Sequence, residues 1–387
     1  MKQQNLIADG ILYAGVADHE SDLFESQYLI PAGITYNSYV ILDEQTVVMD
    51  TADARKSDEW LATVRTALDG RVPDYLVVLH VEPDHSGSIA RLLSEFPDMR
   101  IVGNAKTFMF LQQFYDIDLS DRKVEVKEGA TLSLGRHTLQ FFTAAMVHWP
   151  EVMVAYEQLT HTLFTADAFG TFGVGDISET WDDEARRYFI NIVGKYGMQT
   201  QSLLKKAATL EISNICPLHG PALTENIERF VHLYNVWSSY QPEEKGIAVA
   251  YASIHGNTAA AAKEAAKLIE AKGLPVAIYD LARCDMAAAI AAAFRYDRIL
   301  LAAASYDASV FPPMEKFLAH LKNKNYQGRT VGILENGTWG PTAAKTMKAV
   351  LETMKNITIV EPVVTIKSRL TDATRPALQQ LIDALTA

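Results

Sequence analysis

Residues 80–85 read His-Val-Glu-Pro-Asp-His, so His80, Glu82, Asp84 and His85 place four metal-ligating side chains within six positions. The apolar run Leu76–Leu79 before them has the character of a buried strand. Ile89, Leu92, Leu93 and Phe96 after them recur at a spacing that predicts a helix. If the strand continues through His80 and Glu82, side-chain alternation turns those two to one face, with Asp84 and His85 where the chain leaves it. Three later residues stand in the same kind of place. His148 follows the apolar stretch Leu139–Met146, Asp167 follows Thr162–Ala166, and His219 follows Ile215–Leu218. Singly, each is more often a capping carboxylate or a satisfied core histidine than a ligand. The cluster is different, because carboxylates packed that densely are costly to bury without a compensating cation. Together the seven can hold two metal ions that share one carboxylate.

The elements that must position them fall in the first part of the chain. Strands are expected at 35–42 and 46–50, forming a hairpin, and at 73–79, 100–102, 124–126, 131–134, 137–142, 153–156, 162–165 and 212–217. Helices are expected at 58–68 and, as one long tract, at 182–210. This pattern suggests a sandwich of two sheets with helices outside. At Gln241-Pro-Glu-Glu-Lys-Gly246 the composition breaks in the manner of a domain boundary. Apolar strands at 247–251, 276–281, 298–302, 330–334 and 357–364 then alternate with amphipathic helices, which argues for a doubly wound parallel sheet. The expected domains are therefore 1–246 and 247–387, and 387 residues suit two.

Composition removes several function classes. Two cysteines, Cys216 and Cys284, exclude a disulfide framework, a thiolate zinc site and a cysteine-ligated iron–sulfur centre. A net charge of −12 makes nucleic acid and anionic membranes poor partners. No apolar run approaches the roughly 20 residues that span a bilayer, and Met1-Lys-Gln-Gln-Asn5 lacks the apolar core of a secretion signal. The expected location is cytoplasmic.

The second domain carries its own motif. After its first strand, Ser253-Ile254-His255-Gly256-Asn257-Thr258 leads into a helix, and small and hydroxyl residues there let backbone N–H groups surround a phosphate. Neither a Gly-x-Gly-x-x-Gly fingerprint nor a Gly-Lys-Ser/Thr loop is present. Two further loops lie at strand ends where open α/β sheets bind ligands: Ser305, Tyr306, Asp307 and Ala308 in one, and Glu335, Asn336, Gly337, Thr338 and Trp339 in the other. Tyr306 and Trp339 could pack on a flat ring, although turn chemistry and core aromatics explain either loop alone. The 253–258 segment resembles the FMN phosphate loop of flavodoxins, Thr/Ser-x-Thr-Gly-x-Thr, with His255 in place of the second hydroxyl.

The first domain resembles the metallo-β-lactamase superfamily, an αββα sandwich with ligands at strand ends. Its usual motif is His-x-His-x-Asp-His, and here Glu82 occupies the middle place. A carboxylate there makes the donor set harder and favours iron over zinc, and the Glu form is the signature of flavodiiron proteins. The two domains in this order resemble an A-type flavodiiron protein over almost the full length. The departures are Ala302-Ala-Ala-Ser-Tyr-Asp307 where the family has Gly-Ser-Pro-Thr-x-Asn, and Glu25 where some members carry a histidine facing the irons.

That resemblance implies a non-haem diiron centre that reduces dioxygen to water, nitric oxide to nitrous oxide, or both. By motif, His80, Glu82 and His148 bind one iron, Asp84, His85 and His219 the other, and Asp167 bridges. Tyr196 is a candidate hydrogen-bond donor beside the irons, with core packing its competing role. FMN relays electrons from an external donor such as a separate rubredoxin, and a head-to-tail homodimer or dimer of dimers brings flavin and iron together. Two rivals are a zinc-dependent hydrolase of the same sandwich and a non-catalytic flavodoxin-like electron carrier.

Overall fold

The structure, a computed structural model, describes residues 5–387; the first four residues, on which part of the secretion-signal argument rested, lie outside the described residues. Backbone contacts divide the chain into two units. The first runs to Phe189 and resumes over Met198–Asn235. It holds a seven-stranded sheet in the order Leu6–Ala8, Ile11–Tyr13, Tyr39–Ile41, Val47–Met49, Tyr75–Val77, Arg100–Gly103, Lys123–Glu125. The first four are antiparallel neighbours and the rest are parallel. A five-stranded sheet follows: Thr131–Ser133, Thr138–Thr143, Met153–Glu157, Thr162–Phe164 and Asn214–Cys216.

Tyr39–Ile41, Val47–Met49 and Tyr75–Val77 are buried at every position, as strands covered on both faces must be. One face meets the second sheet, where the Tyr39 ring packs edge-on to Phe164 at 5.4 Å. The other carries the helix Ser57–Leu68, whose Trp60, Leu61, Val64 and Leu68 form the buried stripe that the spacing predicts. This is the expected sandwich.

Two expectations are corrected here. The strand that delivers His80 stops at Val77 rather than running on through Glu82. The Asp50 carboxylate takes the N–H groups of Leu79 (2.8 Å) and His80 (3.3 Å) away from any ladder, and Pro83–Ser86 then forms a helical turn. The long helical tract is likewise broken into Trp181–Tyr188, a wide turn at Phe189–Val193, a tight turn at Gly194–Tyr196, and Gly197–Ala207.

The second unit comprises Ile190–Gly197 and Val236 onward. Its sheet runs Val276–Asp280, Glu244–Ala252, Tyr296–Tyr306, Thr330–Asn336 and then Thr358–Ile359, with Val364–Ile366 on the same edge, these neighbours all parallel, while the short Ser309–Val310 pairs antiparallel with the end of Tyr296–Tyr306. That is the doubly wound order with its first strand inside the sheet. Its first strand starts at Glu244, inside the compositional break. The last predicted strand is split around Pro362, which has no N–H to give a ladder. Leu378, Leu381, Ile382 and Leu385 of the closing helix complete the apolar core against Ile247, Val249, Leu300 and Leu334.

Candidate metal centre and flavin cavity

All seven candidate ligands converge. His80, Glu82, His148 and Asp167 offer one set of ligand atoms, and Asp84, His85 and His219 a second, each set within 4.8 Å internally. Asp167 faces both. Its Oδ2 lies 2.9 Å from His148 Nε2 and 3.3 Å from His80 Nε2, while its Oδ1 lies 3.2 Å from His85 Nε2 and 3.7 Å from His219 Nε2. Glu82 Oε2 stands 3.2 Å and 3.1 Å from His80 and His148. Asp84 Oδ2 stands 3.3 Å and 3.2 Å from His85 and His219. His85 therefore takes part in the second set as fully as His219 does.

The surroundings fix which imidazole nitrogen points inward. His80 donates its Nδ1–H to Glu151 Oε1 at 2.7 Å, and His219 donates its Nδ1–H to the Thr35 carbonyl at 2.7 Å, leaving each Nε2 free for the cluster. The Thr35 strand and Asn37 hold the His219 loop as well. Asn37 donates to the carbonyls of Pro217 and Gly220, and the Tyr39 hydroxyl donates to Pro217. Ser86 gives its hydroxyl to the Val81 carbonyl at 2.6 Å and so closes the turn carrying Glu82 to His85.

His80, His85 and His219 are wholly buried and Asp167 is 1% exposed. Among the described residues, Asp84 Oδ1 and Oδ2, His85 Nε2, His148 Nε2, His219 Nε2 and Asp167 Oδ1 are buried without a directed hydrogen bond. Orphaned buried polar atoms are expensive, and these belong to the side chains of the two ligand sets, as expected of metal ligands. Three carboxylates among seven donors, with no thiolate, suit iron. Burial works against charging His148, but the Asp167 and Glu82 carboxylates outweigh it and raise the imidazole to about 9. Glu82 is pulled the other way, to about 2, where its contacts with His148 and His80 overcome burial. Such a set holds positive charge where a metal ion would otherwise supply it.

Two residues of the site carried no signal of their own in the sequence. Glu151, fully buried, orients His80 and also accepts the Val81 N–H at 3.0 Å. Tyr188 is a tyrosine beside the cluster, its ring 5.6 Å from that of His219. Burial raises the Tyr188 hydroxyl well above its usual range, reinforced by the charges of Asp167, Asp84 and Glu82, and its oxygen has no partner among the described residues. A Cβ at Gly170 would come within 3.2 Å of the Tyr188 ring, so the glycine permits this approach. Tyr196 instead belongs to the segment Ile190–Gly197, which packs with the second unit. Glu25 lies in the turn of the hairpin Leu23–Phe24/Tyr28–Leu29, whose Phe24 ring packs edge-on to His219 at 5.2 Å. Burial and then the charge of Glu82 raise the Glu25 carboxyl, while His148 opposes them.

The second unit has a cavity of 720 Å³ at the carboxyl ends of its strands. Ser253, Ile254, His255, Asn257, Thr258, Ser305, Tyr306, Asp307, Ala308, Asn336, Gly337, Thr338 and Trp339 line it, so the three loops meet as expected. Glu335 does not. Its carboxylate turns away to accept the Ala344 N–H and the Thr365 hydroxyl, both at 2.8 Å. Ala304, Gly340, Thr342 and Ser368 join the lining without having been expected. Ser368 is brought in by Asn336, which donates to its carbonyl at 2.8 Å and accepts its N–H at 3.0 Å. Gly256 caps the helix Asn257–Glu270 at φ +90°, a conformation that only glycine adopts without strain. Trp339 is 95% exposed and Tyr306 46%, which leaves two ring faces open to a flat ligand. The volume and the mixture of hydroxyls, amides and rings suit a flavin mononucleotide.

Comparison with known proteins agrees with this geometry. Residues 34–220 match a family model described as ODP family beta lactamase. An uncharacterised protein of Methanocaldococcus jannaschii is 31% identical over 321 residues, covering 81% of each chain. The nitric oxide reductase of Moorella thermoacetica is 28% identical over 376 residues, 94% of this chain and 93% of that one. The chain spans about half the length of the diflavin flavoproteins of Synechocystis and Nostoc that it also matches. In fold it superposes on the rubredoxin oxygen:oxidoreductase of Desulfovibrio gigas with a TM-score of 0.91 at 24% identity, over 98% of this chain and 97% of that one. Seven converged ligands with Glu82 among them, a mononucleotide cavity on the following unit, and relatives matching across both lead to one assignment: the chain belongs to the flavodiiron protein family.

Proposed function

We propose that this chain is an oxidoreductase that reduces dioxygen to water, nitric oxide to nitrous oxide, or both, at a two-iron centre, with FMN relaying electrons from a separate donor. The observation that carries the reading is Asp167, whose two oxygens face separate sets of imidazole and carboxylate donors. When bound, the irons supply a reducible centre for a small gas and FMN supplies a store for one or two electrons. The residues of the chain do the rest. Glu151 and the Thr35 carbonyl hold His80 and His219 with Nε2 inward. Phe24, Phe172 and Tyr188 pack around the His219 side and exclude water there. The unpartnered Tyr188 hydroxyl is placed to give a hydrogen bond to bound substrate, and both reductions consume protons.

The relatives named above for rubredoxin and nitric oxide motivate the gases and an acidic one-electron carrier as donor. A head-to-tail homodimer, alone or paired into a tetramer, fits the apolar surface on the first unit. The half-exposed Phe114 (46%) stacks there on Trp149, whose ring abuts His80 at 5.2 Å. A second copy could seat its open flavin edge against that surface.

Metal and flavin analysis of freshly purified protein tests this reading. Iron and FMN are expected; zinc without iron would instead favour the hydrolase alternative, against which Glu82 and the flavin cavity both stand.

A further inference from the structure

The two sets of ligand atoms are not built alike. Four side chains, His80, Glu82, His148 and Asp167, converge in the first, and three, Asp84, His85 and His219, in the second. Asp167 faces both but leans to the first. Its Oδ2 lies 2.9 Å and 3.3 Å from His148 and His80, and its Oδ1 3.2 Å and 3.7 Å from His85 and His219. The first set therefore gathers two carboxylates around its two imidazoles before any ion arrives, and the second gathers one.

The imidazoles are also held by different means. His80 gives its Nδ1–H to the buried carboxylate of Glu151 at 2.7 Å, whereas His219 gives its own to the neutral Thr35 carbonyl at 2.7 Å. The charged acceptor makes the stronger bond and leaves the ligating nitrogen the more basic. His85 has no such partner: both its ring nitrogens are buried without a hydrogen bond among the described residues. To offer Nε2 to a metal it must carry its proton on Nδ1, where nothing accepts it, and an unpaired buried donor is costly. The proton that carboxylates hold on His148 does not reverse this order. The potential that retains one positive charge acts on both charges of a divalent ion.

We propose that the two metal positions are unequal: the position of His80, Glu82, His148 and Asp167 binds ferrous iron more tightly than that of Asp84, His85 and His219, so the chain fills through a one-metal form with only the first occupied. The inference rests on the two-iron reading above and adds an order of filling to it. Glu151 is the positioning residue, acting through His80 on the tighter position alone.

The test uses the full chain with its flavin, freed of metal by a chelator and titrated with ferrous iron by calorimetry in the absence of oxygen. Two ions are expected to bind in two steps, about 10–100-fold apart in affinity. Repulsion between the ions would itself separate the steps, so variants with unchanged flavin content assign them. His219→Ala is expected to keep the tighter step and lose the weaker, and His148→Ala to lose the tighter. Glu151→Gln, which keeps an acceptor in place, is expected to weaken the tighter step about 10-fold and leave the weaker within about twofold, drawing the two together. Tight binding that survives His148→Ala but not His219→Ala, or equal movement of both steps in Glu151→Gln, overturns the inference while leaving the two-iron reading intact. Binding of one ion or none by the wild-type chain overturns both.

Discussion

Glu151 gives the account a prediction whose size follows from geometry. Its carboxylate is wholly buried and accepts two N–H groups, His80 Nδ1–H at 2.7 Å and Val81 N–H at 3.0 Å. Glu151→Ala leaves both donors buried without an acceptor, at about 1–3 kcal/mol each. The His80 ring also loses what fixes its tautomer and direction, and removing such a partner typically lowers metal affinity about 10–100-fold. Glu151→Gln keeps an acceptor at the same place but loses the charge, so the stability cost should fall to about 1 kcal/mol with an intermediate loss of iron. The measurements are thermal or denaturant unfolding of metal-free protein and iron competition against a chelator of known affinity. The expected order of iron affinity is wild type, then Glu151→Gln, then Glu151→Ala, with FMN content constant throughout. Unchanged iron affinity in Glu151→Ala would refute the idea that His80 is a ligand held by its other nitrogen.

Other perturbations separate the parts of the site. Because His148 is raised to about 9 in the metal-free protein, above the ordinary imidazole value of about 6.5, its pairing stabilises that form fully below about 6.5 and the benefit is lost as pH rises through 9. Iron must displace that proton, so iron affinity should rise between those limits, by up to about tenfold per pH unit per proton released; a pH-independent affinity contradicts this. Tyr188→Phe should leave iron and FMN content intact and lower gas turnover about 10–100-fold, whereas turnover within twofold of wild type removes the tyrosine from the mechanism. Trp339→Ala should weaken both FMN and riboflavin by about 0.5–1.5 kcal/mol, as fluorescence titration would show.

The candidate metal ligands were legible because they cluster beyond the ends of apolar strands, and Glu82 points toward iron rather than zinc by its type alone. Their supports were not. Glu151 lies in a loop three residues from His148, but its partner is His80, far away in sequence, and nothing local marks that pairing. Asp50 reads simply as the end of a strand, yet its carboxylate, pushed up to about 7 by burial, ends the strand that delivers His80. Tyr188 and Tyr196 lie in one apparently continuous helical tract; only its break into separate turns assigns the first to the cluster and the second to the other unit. In the flavin unit the order and type of the elements followed from alternating apolar strands and amphipathic helices. Which strand-end side chain faces the cavity did not, because Glu335 and Asn336 are neighbours and alternation turned Asn336 inward and Glu335 toward the helix beginning at Ala343.

The central claim is that electrons held by FMN leave through the cluster built on Asp167. Its most direct test is to reduce the purified protein without oxygen, mix it rapidly with dioxygen or nitric oxide, and follow flavin reoxidation and gas consumption together. The wild-type chain is expected to reoxidise rapidly with consumption of at least one gas. Asp167→Asn, which puts an amide nitrogen where one bridging oxygen stood, is expected to keep its FMN and lose that rapid phase. Equal rates in the two proteins would contradict the account.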